Sequence, residues 1–138
     1  LQLYDAVAQT APQSTESVEA RWNMAQIHES RGETDKAIAL YEAAANADTS
    51  EKAARARFRL GELFEQRGDF DAAARHYMRI AILMLHEELS PESLLRAARC
   101  FEQAGKIDQA KKAYQELIAE FPQSAQAAQA TESLQRLG

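Results

Sequence analysis

The sequence predicts an all-α chain, an α-solenoid of stacked helix–turn–helix units with about eight helices. Three observations predict it. The only four tyrosines, Tyr4, Tyr41, Tyr77 and Tyr114, are spaced 37, 36 and 37 residues apart. Gly32, Gly68 and Gly105 keep the same step, and Ala37, Ala73 and Ala110 each precede a tyrosine by four residues. Alanine is abundant, whereas prolines number three and glycines five in 138 residues, a composition that favours helix.

Taken in order, a first helix is expected over 1–10, the tail of a truncated unit, because Tyr4 to Pro12-Gln13-Ser14 matches Tyr114 to Pro122-Gln123-Ser124 in register. Helices over 15–31 and 34–47 follow, separated by Gly32. The helix over 51–67 carries Leu60, Gly61, Leu63 and Phe64, with Asp48 and Glu51 spaced as a capping box. Gly68 ends it, since glycine tolerates the left-handed conformation of a helix C-terminus. Phe70 opens the next helix, over 70–88, where Ala73, Tyr77, Ile80, Ala81 and Met84 recur at helical spacing. Ser90-Pro91-Glu92 supplies a cap residue, a first-turn proline and an acid for the helix over 91–104. Helices over 107–120 and 124–137 complete the chain, with neither a strand nor a long linker. The units divide as 1–14 (second helix of a truncated repeat), 15–49, 50–88, 89–122 and 123–138 (a further first helix or a capping helix). With both ends inside units and Leu1 at the start, the chain is expected to be an excerpt of a longer array.

The repeated residues resemble the tetratricopeptide repeat. The middle unit carries Leu60-Gly61-x-x-Phe64 and Ala73-x-x-x-Tyr77. Met24-Ala25-x-x-His28 with Ala37-x-x-x-Tyr41 fits the first unit, and Ala97-Ala98-x-x-Phe101 with Ala110-x-x-x-Tyr114 and Pro122 fits the third. The period exceeds the usual 34 residues, and Arg21, Arg57 and Leu94 hold the leading tryptophan position, with aromatics one place later at Trp22 and Phe58. Those departures resemble a subgroup that includes bacterial cell-envelope proteins, such as the outer-membrane assembly lipoprotein and the Tol–Pal coordinator, which slightly favours periplasm over cytoplasm. The family resemblance implies a right-handed solenoid and a protein-interaction scaffold without catalysis. Its first helices would line a concave groove that takes a peptide or partner helix. Architectural or oligomerisation segments, and regulatory arms of larger proteins, are the alternatives.

By register, the groove positions are Glu19, Trp22, Gln26, Glu29 and Ser30, then Arg55, Phe58, Glu62, Glu65 and Gln66, then Glu92, Leu95, Arg99, Glu102 and Gln103. Trp22, Phe58 and Leu95 are expected to form an apolar line suited to peptide anchors, or else to pack between helices. Arg55, Arg57 and Arg59, with Arg99, offer forks for an acidic partner group, or pair with Glu51, Glu62 and Glu65. The lysine–asparagine clamp by which some members of this family hold a C-terminal carboxylate is absent, its places being taken by Trp22, Gln26, Phe58 and Glu62.

The most apolar stretch runs from Tyr77 to Leu85. Met78, Ile82 and Leu85 exceed the needs of one buried face, leaving either a central helix or a contact patch. His28, His76 and His86 fall at unrelated places, so no metal ligand set is expected. Cys100 reads as a buried hydrophobe, and its being the single cysteine excludes an internal disulfide. No catalytic constellation, phosphate loop or cofactor motif is present. A net charge of -5 argues against nucleic acid, and no apolar run approaches the roughly 20 residues of a membrane span. Leu3 and Val7, and Ala130, Leu134 and Leu137, are expected to be exposed at the array ends or covered by a second copy.

Overall fold

The computed structural model describes residues 15–47, 50–84 and 88–138, and every regular element in them is helical. The helices are α1 (Thr15–Ser30), α2 (Thr34–Ala47), α3 (Glu51–Gln66), α4 (Phe70–Arg79), α5 (Leu89–Gln103), α6 (Ile107–Glu120) and α7 (Ala125–Leu137). A π-helical turn, Ile80–Met84, continues α4. The expected helix over 1–10, with Leu3 and Val7, lies outside the described residues, as do Asp48, Leu85 and His86.

The chain divides into two compact units, Leu1–Leu60 and Gly61–Gly138. In the first, α1 packs along α2 and buries Val18, Met24 and Ala25 beside Ala37, Ile38 and Tyr41. Arg57 occupies the leading core position of its repeat and is 4% exposed. It donates to the Ala45 carbonyl at 3.2 Å and to Asn46 Oδ1 at 2.7 Å. These groups lie at the C-terminus of α2, where carbonyls lack helical partners and the dipole favours a cation. That is why an arginine can take a tryptophan's place there.

In the second unit, α5 is the central helix. It packs against α4, the π-helical turn, α6 and α7. Its buried residues include Leu94, Leu95, Ala97, Ala98, Cys100 and Phe101. Gly61 belongs to the same unit and meets Tyr77 closely, since a Cβ there would lie 2.5 Å from the tyrosine ring.

Ser50 Oγ caps α3, accepting from the Ala53 amide at 3.2 Å, while Asp48 of the expected capping box lies outside the described residues. Two further details correct the expectations. α5 begins at Leu89, one residue before Ser90, so Ser90 is inside the helix and its buried hydroxyl is not a cap. Ala130 is fully buried rather than exposed, and Leu134 and Leu137 are half-buried.

Candidate partner-binding site

Trp22, Gln26, Glu29 and Ser30 recur at three- and four-residue steps on α1 and therefore share a face. With Tyr41 of α2 and Arg59 of α3 they line an open cavity of about 410 Å³, within the roughly 300–1,000 Å³ range of ligand pockets. Trp22 is half-buried and stands edge-on to Tyr41, ring centroids 5.4 Å apart. The Lys52 ammonium lies 5.2 Å from the centroid of the same indole.

The floor of the cavity is a hydrogen-bonded triad. The Tyr41 hydroxyl donates to Glu29 Oε1 at 2.8 Å. The Arg59 guanidinium forks the same carboxylate, Nε to Oε1 at 3.2 Å and Nη2 to Oε2. Arg59 holds Glu29 below its ordinary range; burial opposes this and Tyr41 adds to it. Burial, reinforced by Glu29, pushes the Tyr41 hydroxyl up, so it remains a donor.

The corresponding positions of the next repeat, Glu62, Glu65, Gln66 and Arg96, line a cavity of about 200 Å³ in the Gly61–Gly138 unit. The charges connect differently there. Arg96 binds Glu92 at 2.9 Å and Glu62 at 3.4 Å, while Glu65 accepts from Tyr77 at 2.8 Å. In the third repeat Glu102 accepts from Tyr114 and pairs with Arg136 at 2.9 Å. Arg99 donates to Gln129 at 2.7 Å.

Of the expected groove residues, the structure therefore gathers Trp22, Gln26, Glu29 and Ser30 in one cavity and Glu62, Glu65 and Gln66 in another. Glu19 is exposed and Phe58 half-buried, both outside the Trp22 cavity. Leu95 is corrected: it is 1% exposed, because α5 is enclosed by its neighbours, and cannot serve as an accessible anchor. The arginines are engaged internally as well. Arg55 pairs with Glu51 at 2.9 Å, Arg57 caps α2 and Arg59 holds Glu29. The sequence reading missed Tyr41 as a lining residue. Its signal was the recurrence of a glutamate twelve residues before each tyrosine, at Glu29, Glu65 and Glu102.

Elsewhere, His28 Nδ1 donates to the Glu33 carboxylate at 3.2 Å, and His76 stacks on Phe64. Among the described residues no group of three or more His, Cys, Asp or Glu side chains could hold a metal ion. No described helix is long and apolar enough to cross a membrane. Ile82, in the π-helical turn, is 60% exposed, whereas Ile80 and Ala81 beside it are buried.

Two family models described as tetratricopeptide repeats match, one over residues 1–51 and 23–93 and the other over 92–124. The chain belongs to the tetratricopeptide repeat family. Solved structures of similar fold agree. The chaperone SycD, of the Yersinia enterocolitica type III secretion translocator, has a TM-score of 0.62 at 23% identity, over 94% of this chain and 96% of that one. A Podosopora anserina protein with nearly identical TPR-like repeats, named for the kinesin light chain, gives 0.67 at 12%, over 99% and 74%. BtubC of P. vanneervenii gives 0.62 at 16%, over 84% of this chain and 53% of that one, so the chain spans about half of BtubC. No curated protein matches. These tetratricopeptide matches indicate an interaction module and no enzyme family, and they do not support the cell-envelope subgroup.

Proposed function

We propose that this tetratricopeptide array is a scaffold that binds an extended peptide, or one face of a partner helix, through the face bearing Trp22, without catalysis. The repeats are read as 15–49, 50–88 and 89–122, flanked by partial units at 1–14 and 123–138. The observation that carries the proposal is the open cavity walled by Trp22 and Tyr41 and rimmed by Gln26 and Ser30. It combines an aromatic anchor site with uncharged groups able to bond a peptide backbone. A translocator chaperone among the fold neighbours is consistent with a polypeptide partner.

Trp22 is the single tryptophan, so its fluorescence reports occupancy of this cavity directly. Peptides selected from a phage-displayed random library are titrated into wild type and Trp22→Ala. Saturable binding that shifts the indole emission, and is lost in a Trp22→Ala variant of unchanged helicity, supports the proposal. A library that yields no binder, or only binders indifferent to Trp22, places the architectural reading ahead. One observation favours that second reading: Glu62, Glu92, Arg96 and Gln126 bond to one another across neighbouring helices.

A further inference from the structure

We propose that Glu29 and Arg59 determine the specificity of the Trp22 cavity: by neutralising each other, they reserve it for an uncharged, apolar side chain of the bound segment. This rests on the peptide-binding reading above. Among the described residues, the charged ones that line the cavity are Glu29 and Arg59, and Arg59 forks Glu29. Tyr41 donates to the same carboxylate. Among the described residues, what else lines the cavity is the half-buried Trp22 indole and the uncharged, exposed Gln26 and Ser30, the Tyr41 ring itself being buried. A charged side chain entering here would lose hydration and meet, among the described lining residues, only charges already paired with each other, whereas an apolar one would lose nothing of the kind. The Lys52 ammonium lies against the indole and not in the cavity lining.

The next repeat shows why the neutralisation is specific to this place. Arg96, the counterpart of Arg59, is drawn to Glu92 and Glu62. The counterparts of those two acids in the first cavity's surroundings are Arg55, which carries a like charge, and Gln26, whose uncharged amide oxygen is a weaker acceptor than a carboxylate. Arg59 forks Glu29 instead. Two substitutions in the sequence, an arginine for an acid and a glutamine for an acid, set the charge balance of the cavity.

Removing either member should give the cavity a charge of known sign. Peptides are selected from a random phage library on wild type, and the best binder is remade with its apolar anchor replaced by Glu or by Lys. Affinities are then measured for wild type, Glu29→Gln, Arg59→Gln and the charge-swapped double variant Glu29→Arg with Arg59→Glu. Wild type is expected to lose about tenfold or more on either anchor replacement, a difference of about 1.4 kcal/mol. Glu29→Gln is expected to recover the Glu-anchored peptide, and Arg59→Gln the Lys-anchored one. The swapped pair, neutral again, is expected to prefer the apolar anchor. General loosening of the fold would weaken all three peptides alike, so opposite recoveries are not a structural side effect. The same anchor preference in wild type and both single variants overturns the role of the pair while leaving peptide binding intact. Failure of the swapped pair to prefer the apolar anchor also overturns it. Absence of any Trp22-dependent peptide overturns the peptide-binding reading and this inference with it.

Discussion

The Tyr41 hydroxyl reaches back twelve residues to donate to Glu29 at 2.8 Å, and the same pair recurs as Tyr77–Glu65 and Tyr114–Glu102. Each ring is at most 1% exposed. Each hydroxyl emerges beside a part-exposed carboxylate on the helix with which its own is paired. One residue therefore fills the space between two helices and fixes their register with a charge-assisted bond. Phenylalanine would do the first and not the second.

That division of labour can be measured at Tyr77. Tyr77→Ala empties the space beside Gly61 and is expected to cost about 3–5 kcal/mol, as for other large aromatic truncations. Tyr77→Phe keeps the ring and loses the bond to Glu65, which water can partly replace, for about 1 kcal/mol. Urea denaturation of the two variants separates the contributions. Equal losses would mean that the hydroxyl, not the ring, dominates.

Gly61 is required by that ring. A methyl group there would sit 2.5 Å from Tyr77, so Gly61→Ala is expected to destabilise by about 1–3 kcal/mol despite alanine's better helix propensity. The cost should shrink when the ring is also removed. A double-mutant cycle of Gly61→Ala with Tyr77→Leu should therefore show coupling of about 0.5–3 kcal/mol. Additive losses would place the strain elsewhere.

Acid should weaken the first-unit triad. Glu29 is held below its ordinary 4.5 chiefly by Arg59. A carboxyl whose pKa is lowered by folding contributes stability that is fully present above the unfolded value and is lost as pH falls through the folded one. Wild type should then lose stability below pH 4.5 more steeply than Glu29→Gln, which has no such proton to take up. Melting temperatures of both proteins across that range provide the test, and parallel slopes would remove Glu29 from the account.

The periodic residues were enough to place the start of every described helix within about two residues, because tyrosine, alanine and glycine mark where helices cross and end, but not the change from α-helix to π-helical turn at Ile80 inside the expected 70–88 helix. Burial depth was not legible. Trp22 and Leu95 share a register position, yet one walls an open cavity and the other is enclosed. Leu95 is enclosed because α5 packs against α4, the π-helical turn, α6 and α7, which no local pattern states. The arginine partners were hidden for the same reason. Arg59 finds Glu29 thirty residues away, whereas helical spacing alone offers Glu62, three residues on, and Glu51 goes to Arg55.

Leu95 and Trp22 should accordingly respond in opposite ways to truncation. Leu95→Ala is expected to cost about 2–5 kcal/mol of stability and to leave affinity for a Trp22-dependent peptide unchanged in the folded fraction. Trp22→Ala should cost less stability, since only part of its surface is covered, and abolish binding. Thermal unfolding and peptide titration on the same two proteins make the comparison. Loss of binding in folded Leu95→Ala would return that residue to the site.

Cys100 gives a probe of how α5 opens. Its side chain is 2% exposed, and burial together with the nearby Glu65 carboxylate pushes the thiol up to about 12 from an ordinary 9.0. Thiolate is the reacting species, so the native protein should resist iodoacetamide at about pH 8 and be labelled only where the α5 core opens. Labelling against urea concentration should follow the unfolding of the surrounding helices. The linkage has a definite sign. A thiol raised by folding contributes stability that is intact below 9.0 and lost as pH climbs toward 12. Wild type should therefore weaken in that alkaline window relative to Cys100→Ala, after allowance for tyrosine ionisation common to both. Rapid native labelling, or an identical alkaline decline in the two proteins, would show that the thiol is reached without opening the helix core.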